Sequence, residues 1–383
     1  MNTPKIRFKG FTDDWEQRKV SDLLQERNEQ APRSEEYPLM AFIADQGVAP
    51  KGERYDRSAL VNDENGKKYK RTEYGDFIYS SNNLETGSIG LNKYGNASIS
   101  PVYSIFKRTS NVDLDFLGRR FLRKDFINEM VKWRQGVVYG QWKIHESDFL
   151  KINVVVPSIE EQKRIGHCFE KLDHLITLHQ RKCDETKQLK KFMLQKMFPK
   201  NGEKNPEIRF EGFTDDWEQR KLGDVAQEFK SGNSLKADEI DITGDYPVYG
   251  GNGLRGYTST YNHDGEYALI GRQGALCGNM NYSAGKAYFT EHAVVVKADE
   301  NNDTRFLYYM LDRMNLGQYS DQSAQPGLAV NKLVKLENSF PKKEEQQQIG
   351  TYFRSLDHLI TLHQRKCEKL KELKKFMLQN MFV

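Results

Sequence analysis

The stretch IRFKGFTDDWEQRK occupies residues 6–19 of this 383-residue chain and returns, with one substitution, as IRFEGFTDDWEQRK at residues 208–221. A second stretch, LDHLITLHQRKC, occurs unchanged at residues 172–183 and 356–367. Self-similarity on this scale indicates a chain assembled from repeated structural units. The order of short element, variable block and helical element therefore occurs twice.

The two variable blocks, residues 20–159 and 222–343, share no extended identity. Each has the size of an ordinary domain, and a solenoid would need three or more similar units. Short strand-like runs, Gly-rich turns and one helical run in each block predict an α+β fold. The predicted strands lie at residues 75–81, 97–108, 152–156, 246–249, 266–271 and 288–297, and the predicted helices at residues 113–134 and 303–314.

The helical elements begin near residues 160 and 344 and carry apolar residues at heptad a and d spacing, the pattern of a coiled-coil seam. About 38 residues at 1.5 Å each predict helices of roughly 57 Å. Each helix either packs on its own block or pairs with the other helix, and the sustained heptad pattern favours an antiparallel pair within the chain. The predicted pairing core comprises Ile165, Leu172, Leu175, His179, Leu189, Met193, Ile349, Leu356, Leu359, His363, Leu370, Leu373 and Met377.

One cluster in the predicted seam has metal-ligating side chains. His179 and Cys183 are four residues apart on one helix, as are His363 and Cys367 on the other. An antiparallel pair with matched ends would bring these four together as a Cys₂His₂ zinc site. The absence of a helix break and of a Cys-x-x-Cys pair favours histidines in a core layer and cysteines packed as small apolar residues. The sequence therefore predicts no metal site.

The composition excludes several classes of protein. The 21 Phe, 19 Tyr and 4 Trp are too many for a disordered chain. No apolar run approaches the roughly 18 residues that cross a bilayer, and residues 1–10 contain no stretch typical of a signal peptide. The four cysteines form no Cys-x-x-Cys pair, which indicates reduced thiols. We expect a soluble, cytoplasmic protein of two or three domains.

The sequence contains no recognisable catalytic motif. GNGLRG at residues 251–256 matches GxGxxG, but no helix opening follows it, so we interpret it as a turn. We find no Walker A loop, amino-methyltransferase signature, nuclease cluster or Ser/His/Asp arrangement. The sequence therefore predicts a non-catalytic chain.

The positive net charge of +4 resides in the helical elements. Residues 160–200 hold 10 basic and 6 acidic side chains, and residues 342–383 hold 9 and 5. Together they carry +8, which leaves the rest of the chain at −4, so basicity does not mark the blocks as DNA binders, and any DNA contact would require locally arranged cations. KKYKR at residues 67–71 suits phosphate contact and base stacking, although a solvated loop is the commoner explanation of such a run. A polar outer face is the simpler explanation for a second basic set on the predicted helix, Arg119, Arg120, Arg123, Lys132 and Arg134.

Each helical element opens with the same pattern, PSIEEQKRIG from residue 157 and PKKEEQQQIG from residue 341. With the duplicated IRFxGFTDDWEQRK, this frame resembles the specificity subunit of type I restriction-modification systems. GRQG at residues 271–274 and TEH at residues 290–292 also resemble segments of that family's recognition domains. The resemblance covers essentially the whole chain. Its matching residues are Pro157, Glu160, Glu161, Gln162, Ile165, Gly166, Pro341, Glu344, Glu345, Gln346, Ile349 and Gly350.

The resemblance implies two target recognition domains, residues 1–159 and 201–343, and two spacer helices, residues 160–200 and 344–383, paired as an antiparallel coiled coil with pseudo-twofold symmetry. Each domain would read one part of a split site in double-stranded DNA. The helices would act as a ruler for the unread spacer, since half-sites one helical turn apart lie roughly 34 Å apart.

The resemblance also implies partners that carry out the chemistry. Two modification subunits would dock on the helices, each binding S-adenosylmethionine and flipping an adenine out of the duplex. Restriction subunits that use ATP and Mg²⁺ would join them. This chain would bind no cofactor itself.

The DNA-contact candidates are a separate inference. Base-reading side chains are drawn from Arg, Lys, Asn, Gln, Ser and Thr in loops or on helix faces. We expect contacts from the basic run, from the Gly-bounded loop at residues 136–140 and just beyond, and from GRQG, although structural roles in turns explain them equally well. The candidates are Lys67, Lys68, Lys70, Arg71, Tyr139, Gln141, Arg272, Gln273 and Gln325.

An alternative function is a non-catalytic protein-interaction scaffold with two modules on a coiled-coil rod. It predicts no DNA affinity at any salt concentration, whereas a DNA reader loses affinity steeply as the salt concentration rises. A self-contained DNA-modifying enzyme would need a cofactor loop or catalytic cluster, and we find neither in the sequence.

Overall fold

A computed structural model describes residues 3–44, 46–50, 67–137, 140–200, 202–320 and 327–383. The chain forms two compact units, one of Met1–Thr177 with Cys367–Val383 and the other of Leu178–Lys366. Each unit contains one variable block, one copy of the short repeated element and segments of both long helices. No helix in the described part of the chain is long and apolar enough to cross a membrane.

The first unit is α+β, with small antiparallel sheets. Its strands are β1 (Glu16–Lys19), β2 (Leu24–Glu26), β3 (Gln30–Ala31), β4 (Ala41–Ile43), β5 (Gly47–Ala49), β6 (Tyr69–Thr72), β7 (Phe77–Tyr79), β8 (Ile89–Leu91), β9 (Ala97–Ile99), β10 (Ser104–Arg108), β11 (Gln135–Val137), β12 (Gln141–Lys143) and β13 (Asn153–Val156). Its helices are α1 (Val20–Leu23), α2 (Leu114–Phe121), α3 (Lys124–Val131), α4 (Glu146–Phe149) and the first half of α5 (Ile159–Lys196). The sheet orders are β2-β10-β7-β8, β3-β6-β9, β4-β5, β11-β12 and β1-β13.

The repeated element of the first unit folds against the start of α5. β1 pairs with β13, the strand that leads into the helix. Arg7 donates two hydrogen bonds of 2.7 Å to the buried carboxylate of Glu161, and these bonds raise the pKa of Arg7. Trp15 is buried edge-on against Phe116 and Phe382. The near-constant residues therefore attach the variable block to both ends of the helical frame within this unit.

The helix predicted at residues 113–134 is two helices in the structure, so that prediction is wrong. α2 begins after Asp113, whose carboxylate accepts an N–H of the first turn at 3.0 Å, and α3 begins at Lys124. Side chains five residues apart point about 140° apart on one helix, yet the rings of Phe121 and Phe126 stack at 4.1 Å in the core. The break between the helices allows both rings to be buried.

The second unit contains one large sheet. Its strands are β14 (Glu218–Lys221), β15 (Ala226–Ser231), β16 (Tyr246–Gly250), β17 (Gly253–Thr258), β18 (His263–Gly271), β19 (Met280–Phe289), β20 (Ala293–Ala298) and β21 (Glu337–Phe340). Its α-helices are α6 (Thr304–Arg313), α7 (Val330–Leu333), the second half of α5 and the first part of α8 (Lys343–Asn380). Six strands form the order β15-β20-β18-β19-β16-β17, and β14 pairs with β21.

The second unit repeats the frame contacts of the first. Arg209 donates hydrogen bonds of 2.7 and 2.8 Å to Glu345, and Trp217 is buried edge-on against Phe198 and Phe306. The other predicted elements are present, with two differences. The strand predicted at residues 97–108 is split into β9 and β10, and the one predicted at residues 288–297 is split between β19 and β20.

The long helices pair antiparallel. In the second unit, His179 Nδ1 lies 3.0 Å from His363 Nδ1, and Lys190 Nζ lies 2.7 Å from the Asp357 carboxylate. Residue number therefore rises along one helix as it falls along the other. His179 contacts the residue that occupies its own position in the other copy of the repeat.

The first unit shows the corresponding contacts. Lys374 pairs with Asp173 at 2.5 Å, and these two residues are the repeat equivalents of the lysine and aspartate that pair in the second unit. Cys367 Sγ lies 3.9 Å from the Ile176 carbonyl oxygen. Each unit therefore holds its own stretch of helix pair with the same side-chain arrangement.

The predicted pairing core is wrong at one position of each heptad. Leu175, Leu189, Leu359 and Leu373 are 39–45% exposed, whereas Cys183 and Cys367 are at most 4% exposed. The remaining predicted core residues are buried or half-buried: Ile165, Leu172, His179, Met193, Ile349, Leu356, His363, Leu370 and Met377.

Along each helix, successive inward residues are spaced by four and then three positions, whereas the prediction spaced them by three and then four. Both spacings fit a helix of 3.6 residues per turn. Hydropathy favoured the predicted spacing, because it places leucines at positions where the other spacing places lysines. The structure instead places small cysteines and the ion-paired Lys190 and Lys374 at these seam positions. Ion pairing and the hydrocarbon stem of lysine make such a position tolerable.

Candidate nucleic-acid interface

The basic run at residues 67–71 divides between surface and interior. Lys67 and Lys68 precede β6 and are exposed, whereas Lys70 is only 7% exposed. Lys70 Nζ donates to the Tyr103 carbonyl oxygen at 2.9 Å and lies 3.9 Å from Glu146. Burial lowers the pKa of Lys70. The expectation that Lys70 contacts phosphate is wrong, because its ammonium group is used inside the fold.

Arg71 is also engaged within the protein. Its guanidinium pairs with Glu29 at 2.8 Å and lies 4.4 Å from the centre of the Tyr37 ring. Lys67 Nζ lies 5.7 Å from the Tyr69 ring. Among the described residues, neither Lys67 nor Lys68 has a carboxylate within ion-pair distance. Of the four basic candidates in this run, these two keep charges available to a phosphate.

The five basic side chains predicted to lie along one helix at residues 113–134 each pair with a carboxylate. Arg119 pairs with Asp115 and Asp173, and Arg120 with Asp125. The others form ion pairs as well: Arg123 with Asp125, Lys132 with Glu129 and Arg134 with Glu85. All five are therefore neutralised by carboxylates, but Arg120 is only 6% exposed, so the explanation as a polar outer face is wrong for that residue.

In the first unit, two loops meet where the central strand β7 ends. The turn that follows β7 contains Ser81 and Asn82, which hold the segment of β12. Asn82 Oδ1 accepts the Trp142 N–H at 2.6 Å, and Ser81 Oγ accepts the Ile144 N–H at 3.0 Å. Gln141, the first residue of β12, is exposed beside them. Tyr139 lies outside the described residues.

The second unit brings together the corresponding loops. The turn after β18 contains Arg272 and Gln273, and the backbone oxygen of Arg272 accepts the Leu328 N–H at 2.9 Å. Gln273 forms an isolated bridge with Gly327. Gln273 is exposed and Arg272 is half-buried. Gln325 lies outside the described residues.

Glycines allow three segments to approach each other around Arg272. A Cβ on Gly271 would lie 2.5 Å from the Gly251 carbonyl oxygen, and a Cβ on Gly251 would lie 2.9 Å from the His292 carbonyl oxygen. The Arg272 N–H donates to that same His292 oxygen at 2.9 Å. GRQG and TEH, which lie 16 residues apart in sequence, are therefore direct neighbours. The GxGxxG match covers the turn of the β16–β17 hairpin at residues 251–252 and continues into β17, so the interpretation as a turn is correct for its first two residues only.

The sequence analysis missed Asn82 and Trp142. Trp142 is 49% exposed, and the signal was its place between Gln141 and Lys143 in a polar, Gly-bounded segment. Asn82 lies in a polar turn that carries no motif. Together the two loop sites offer amide, guanidinium and aromatic groups, which are the groups that read base edges.

His179 and His363, two of the four candidate metal ligands, both lie in the second unit. In the part of the chain that the structure describes, no three His, Cys, Asp or Glu side chains are grouped closely enough to hold an ion. His179 and His363 instead contact each other directly. Burial, together with the nearby His363, Lys366 and Lys182, lowers the pKa of His179.

Comparison with known proteins agrees with this architecture. The family profile described as type I restriction modification DNA specificity domain matches residues 12–188 and 214–372. A solved structure of the type I restriction-modification S subunit from M. genitalium superposes with a TM-score of 0.66 at 16% identity, covering 100% of this chain and 99% of that chain. The two proteins therefore share a fold.

Curated relatives are specificity subunits. The chain is 50% identical over 114 residues to the type I restriction enzyme EcoprrI specificity subunit of Escherichia coli, a match that covers 30% of this chain and 28% of the relative. It is 23% identical over 403 aligned positions to the MjaVIII specificity subunit of Methanocaldococcus jannaschii, covering 95% of this chain and 91% of the relative. Because the family profile matches both repeats and most of the chain, the protein belongs to the family of type I restriction-modification DNA specificity subunits.

Proposed function

We propose that this chain reads a two-part DNA target, with one recognition block for each half. The first block comprises residues 1–159 and the second residues 201–343, and the spacer helices comprise residues 160–200 and 344–383. One observation carries the proposal: a duplicated frame holds the same two-loop arrangement twice, with different side chains on each copy. A chain that read one continuous site would need no such duplication.

The two loop sites supply the contacts to bases. In the second block Arg272 and Gln273 carry the guanidinium and amide groups that read guanine and adenine edges. In the first block Gln141 offers an amide in the corresponding place. Lys67 and Lys68 would contact phosphates, which positions the protein on DNA without reading its sequence. Tyr139 and Gln325 stay predictions from the sequence.

The exposed side of the helix pair supports docking of two modification subunits. In the second unit, Leu189 and Phe192 are exposed on α5, and in the first unit their repeat equivalents Leu373 and Phe376 are exposed on α8. Apolar side chains repeated along a helix face are the anchors that a partner helix uses. Since the set occurs once in each unit, we expect two equivalent partners. Restriction subunits would join that complex.

The chain would contribute recognition and not chemistry. S-adenosylmethionine would be bound by the modification subunits, and ATP and Mg²⁺ by the restriction subunits. The side chains of this protein would bind and position DNA, and the sequence contains no catalytic motif. A cytoplasmic location stays a prediction from the sequence.

Salt-dependent DNA binding tests this proposal. The chain, purified together with modification subunits, should bind duplex DNA that carries its split target, and log Kd should rise linearly with log salt concentration. A protein-interaction scaffold would show no such affinity at any salt concentration. Changing the spacer between the half-sites by one base pair should abolish specific binding, because it rotates one half-site by about a tenth of a turn.

A further inference from the structure

The side chain of Trp142 is half exposed, while its backbone is fixed by a hydrogen bond to the neighbouring turn. It lies on β12, which pairs with β11 alone as a two-stranded ribbon. Its cross-strand neighbour is Gly136, and a Cβ built on that glycine would have nothing within 4 Å. Among the residues that the structure describes, the cross-strand position therefore has no side chain to cover the indole. Its 49% exposure contrasts with Trp15 and Trp217, which are buried in the frame.

The backbone at Trp142 is fixed from the neighbouring turn. Its N–H donates to Asn82 Oδ1 at 2.6 Å. Since that oxygen must be the acceptor, the assignment of the Asn82 amide is unambiguous, and its NH₂ group remains for another partner. Asn82 is exposed, and among the described residues it has no other hydrogen bond. The turn thus holds the ribbon in place and presents a second amide beside Gln141.

The charge around the ribbon does not suit a phosphate clamp. Lys143 pairs with Glu146 at 2.7 Å, and Arg134 pairs with Glu85 at 2.9 Å. Both cations next to Trp142 are therefore neutralised by the protein. What the described residues of the ribbon offer outward is the amide of Gln141 and the aromatic face of Trp142, and these groups suit base edges.

We propose that Trp142, on β12, faces the major groove of the first half-site and packs against a thymine C5-methyl group. The major groove admits a two-stranded ribbon, and the thymine methyl is the apolar group that it displays. Asn82 is a positioning residue, because it acts on DNA through the backbone of Trp142. This inference rests on the proposed function, since it names a specificity contact of the same recognition block.

A protein partner is a less suitable occupant. Apolar protein contacts cluster several large side chains at their centre, whereas Trp142 is the one exposed large hydrophobic residue among the described residues from 134 to 144. Its neighbours Gln141 and Asn82 are amides. Loss of a bound modification subunit on replacing Trp142 would instead assign this ribbon to a protein interface, and it would overturn the proposal.

Uracil substitution tests the contact directly. Duplexes carrying the split target, with one thymine at a time replaced by uracil, are titrated with the complex of the chain and its modification subunits. For the unsubstituted protein, one uracil in one half-site should weaken binding about fourfold, the worth of one buried methyl group. W142A should bind the thymine duplex at least fourfold more weakly and should be insensitive to that same uracil.

Two variants control the experiment. W142F keeps an aromatic ring and should retain most of the sensitivity to uracil. Y94A removes another exposed aromatic side chain of the first block and should behave as the unsubstituted protein. Unchanged affinity of W142A, an unchanged response of W142A to every uracil, or a target whose half-sites lack thymine would each overturn the proposal. Salt-dependent binding of the unsubstituted complex would still support the proposed function, whereas no binding at all would overturn both.

Discussion

The two units of this protein share their frame and differ in almost everything attached to it. Arg7 and Arg209 hold Glu161 and Glu345 at 2.7 Å in their respective units. The repeated element also caps a helix end in the same way in both units. The Ile6 N–H donates to the Asn380 carbonyl oxygen, and the Ile208 N–H donates to the Lys196 carbonyl oxygen, each at 2.9 Å. These contact distances agree within a tenth of an ångström between the two units. The repeated element and the long helices therefore set the geometry of each unit.

The recognition blocks are built differently on that frame. The first unit has several sheets of two to four strands, and the second has one sheet of six. Even a constant frame residue takes a different partner, because Asp173 binds Arg119 at 2.9 Å, whereas its equivalent Asp357 accepts a hydrogen bond from Tyr309 at 2.7 Å. A few anchors therefore tolerate a complete change of the inserted block.

Breaking the arginine–glutamate pair that both units share should cause the largest loss of folding stability, and the loss should be equal in the two units. R7A leaves Glu161 buried without its partner, and R209A does the same to Glu345. Removing one partner of a buried ion pair costs about 3–5 kcal/mol, so urea unfolding should show losses of that size for both variants. R18A, which removes an exposed pair with Glu16, should cost less than about 1 kcal/mol. A large loss in one unit alone would contradict the equivalence of the anchors.

Replacing the exposed helix face should remove partners one at a time. F192E changes the second unit and F376E the first, and both side chains are about half exposed, so the chain itself should keep its stability. Each single variant should bind one modification subunit in place of two, and the double variant none, as measured by native mass spectrometry. Q188E, an exposed position on α5, serves as the control. Retention of two subunits by the double variant would show that docking occurs elsewhere.

The DNA affinities of R272A and K70M should distinguish a residue that contacts DNA from one with a structural role. R272A should weaken binding to cognate DNA about tenfold, within the roughly 1–3 kcal/mol of a base contact. K70M removes a charge that is used inside the first unit, so it should leave DNA affinity within about twofold while lowering thermal stability. Equal DNA affinities for R272A and the unsubstituted protein would remove Arg272 from the interface.

The smallest effect should come from the histidine pair of the second unit. The pKa of His179 is lowered in the folded chain by burial and by its neighbours His363, Lys366 and Lys182, of which both lysines are cationic. The unfolded chain therefore binds a proton first, so stability should fall as the pH drops below about 6.5 and should be unaffected above it. Replacing both His179 and His363 with leucine should remove this part of the pH dependence. A stability difference between the two proteins that does not change from pH 8 to pH 5.5 would contradict the account.

The duplicated frame could be predicted because it is written as near-identical sequence. Pro157 and Glu161 mark the start of the first helix, and their equivalents mark the second. The seam was predicted only in part, because hydropathy cannot distinguish Leu175 from Ile176 as the inward residue when both fit the helical period. That choice depends on the partner helix, where small cysteines and ion-paired lysines form the contact.

The candidate interface was harder to predict. Lys70 belongs to a basic run, but β6 is the central strand of its sheet, so alternate side chains point inward. Trp142 carries no motif, and its significance depends on Asn82, 60 residues away in sequence. Arg272 lies in GRQG, which resembles a family segment, whereas the candidates of the first block lie in no segment noted for that resemblance. Loop sites assembled from distant residues are not encoded in local patterns.

A genome-wide map of methylated adenines, in the host with and without this gene, tests the central claim most directly. The account predicts that one split motif, two half-sites separated by an unread spacer of fixed length, loses its methylation when the gene is deleted. Loss of a single continuous motif would contradict the assignment of one half-site to each unit. In a host that expresses the gene, no change at any motif would contradict the role of the chain in target recognition.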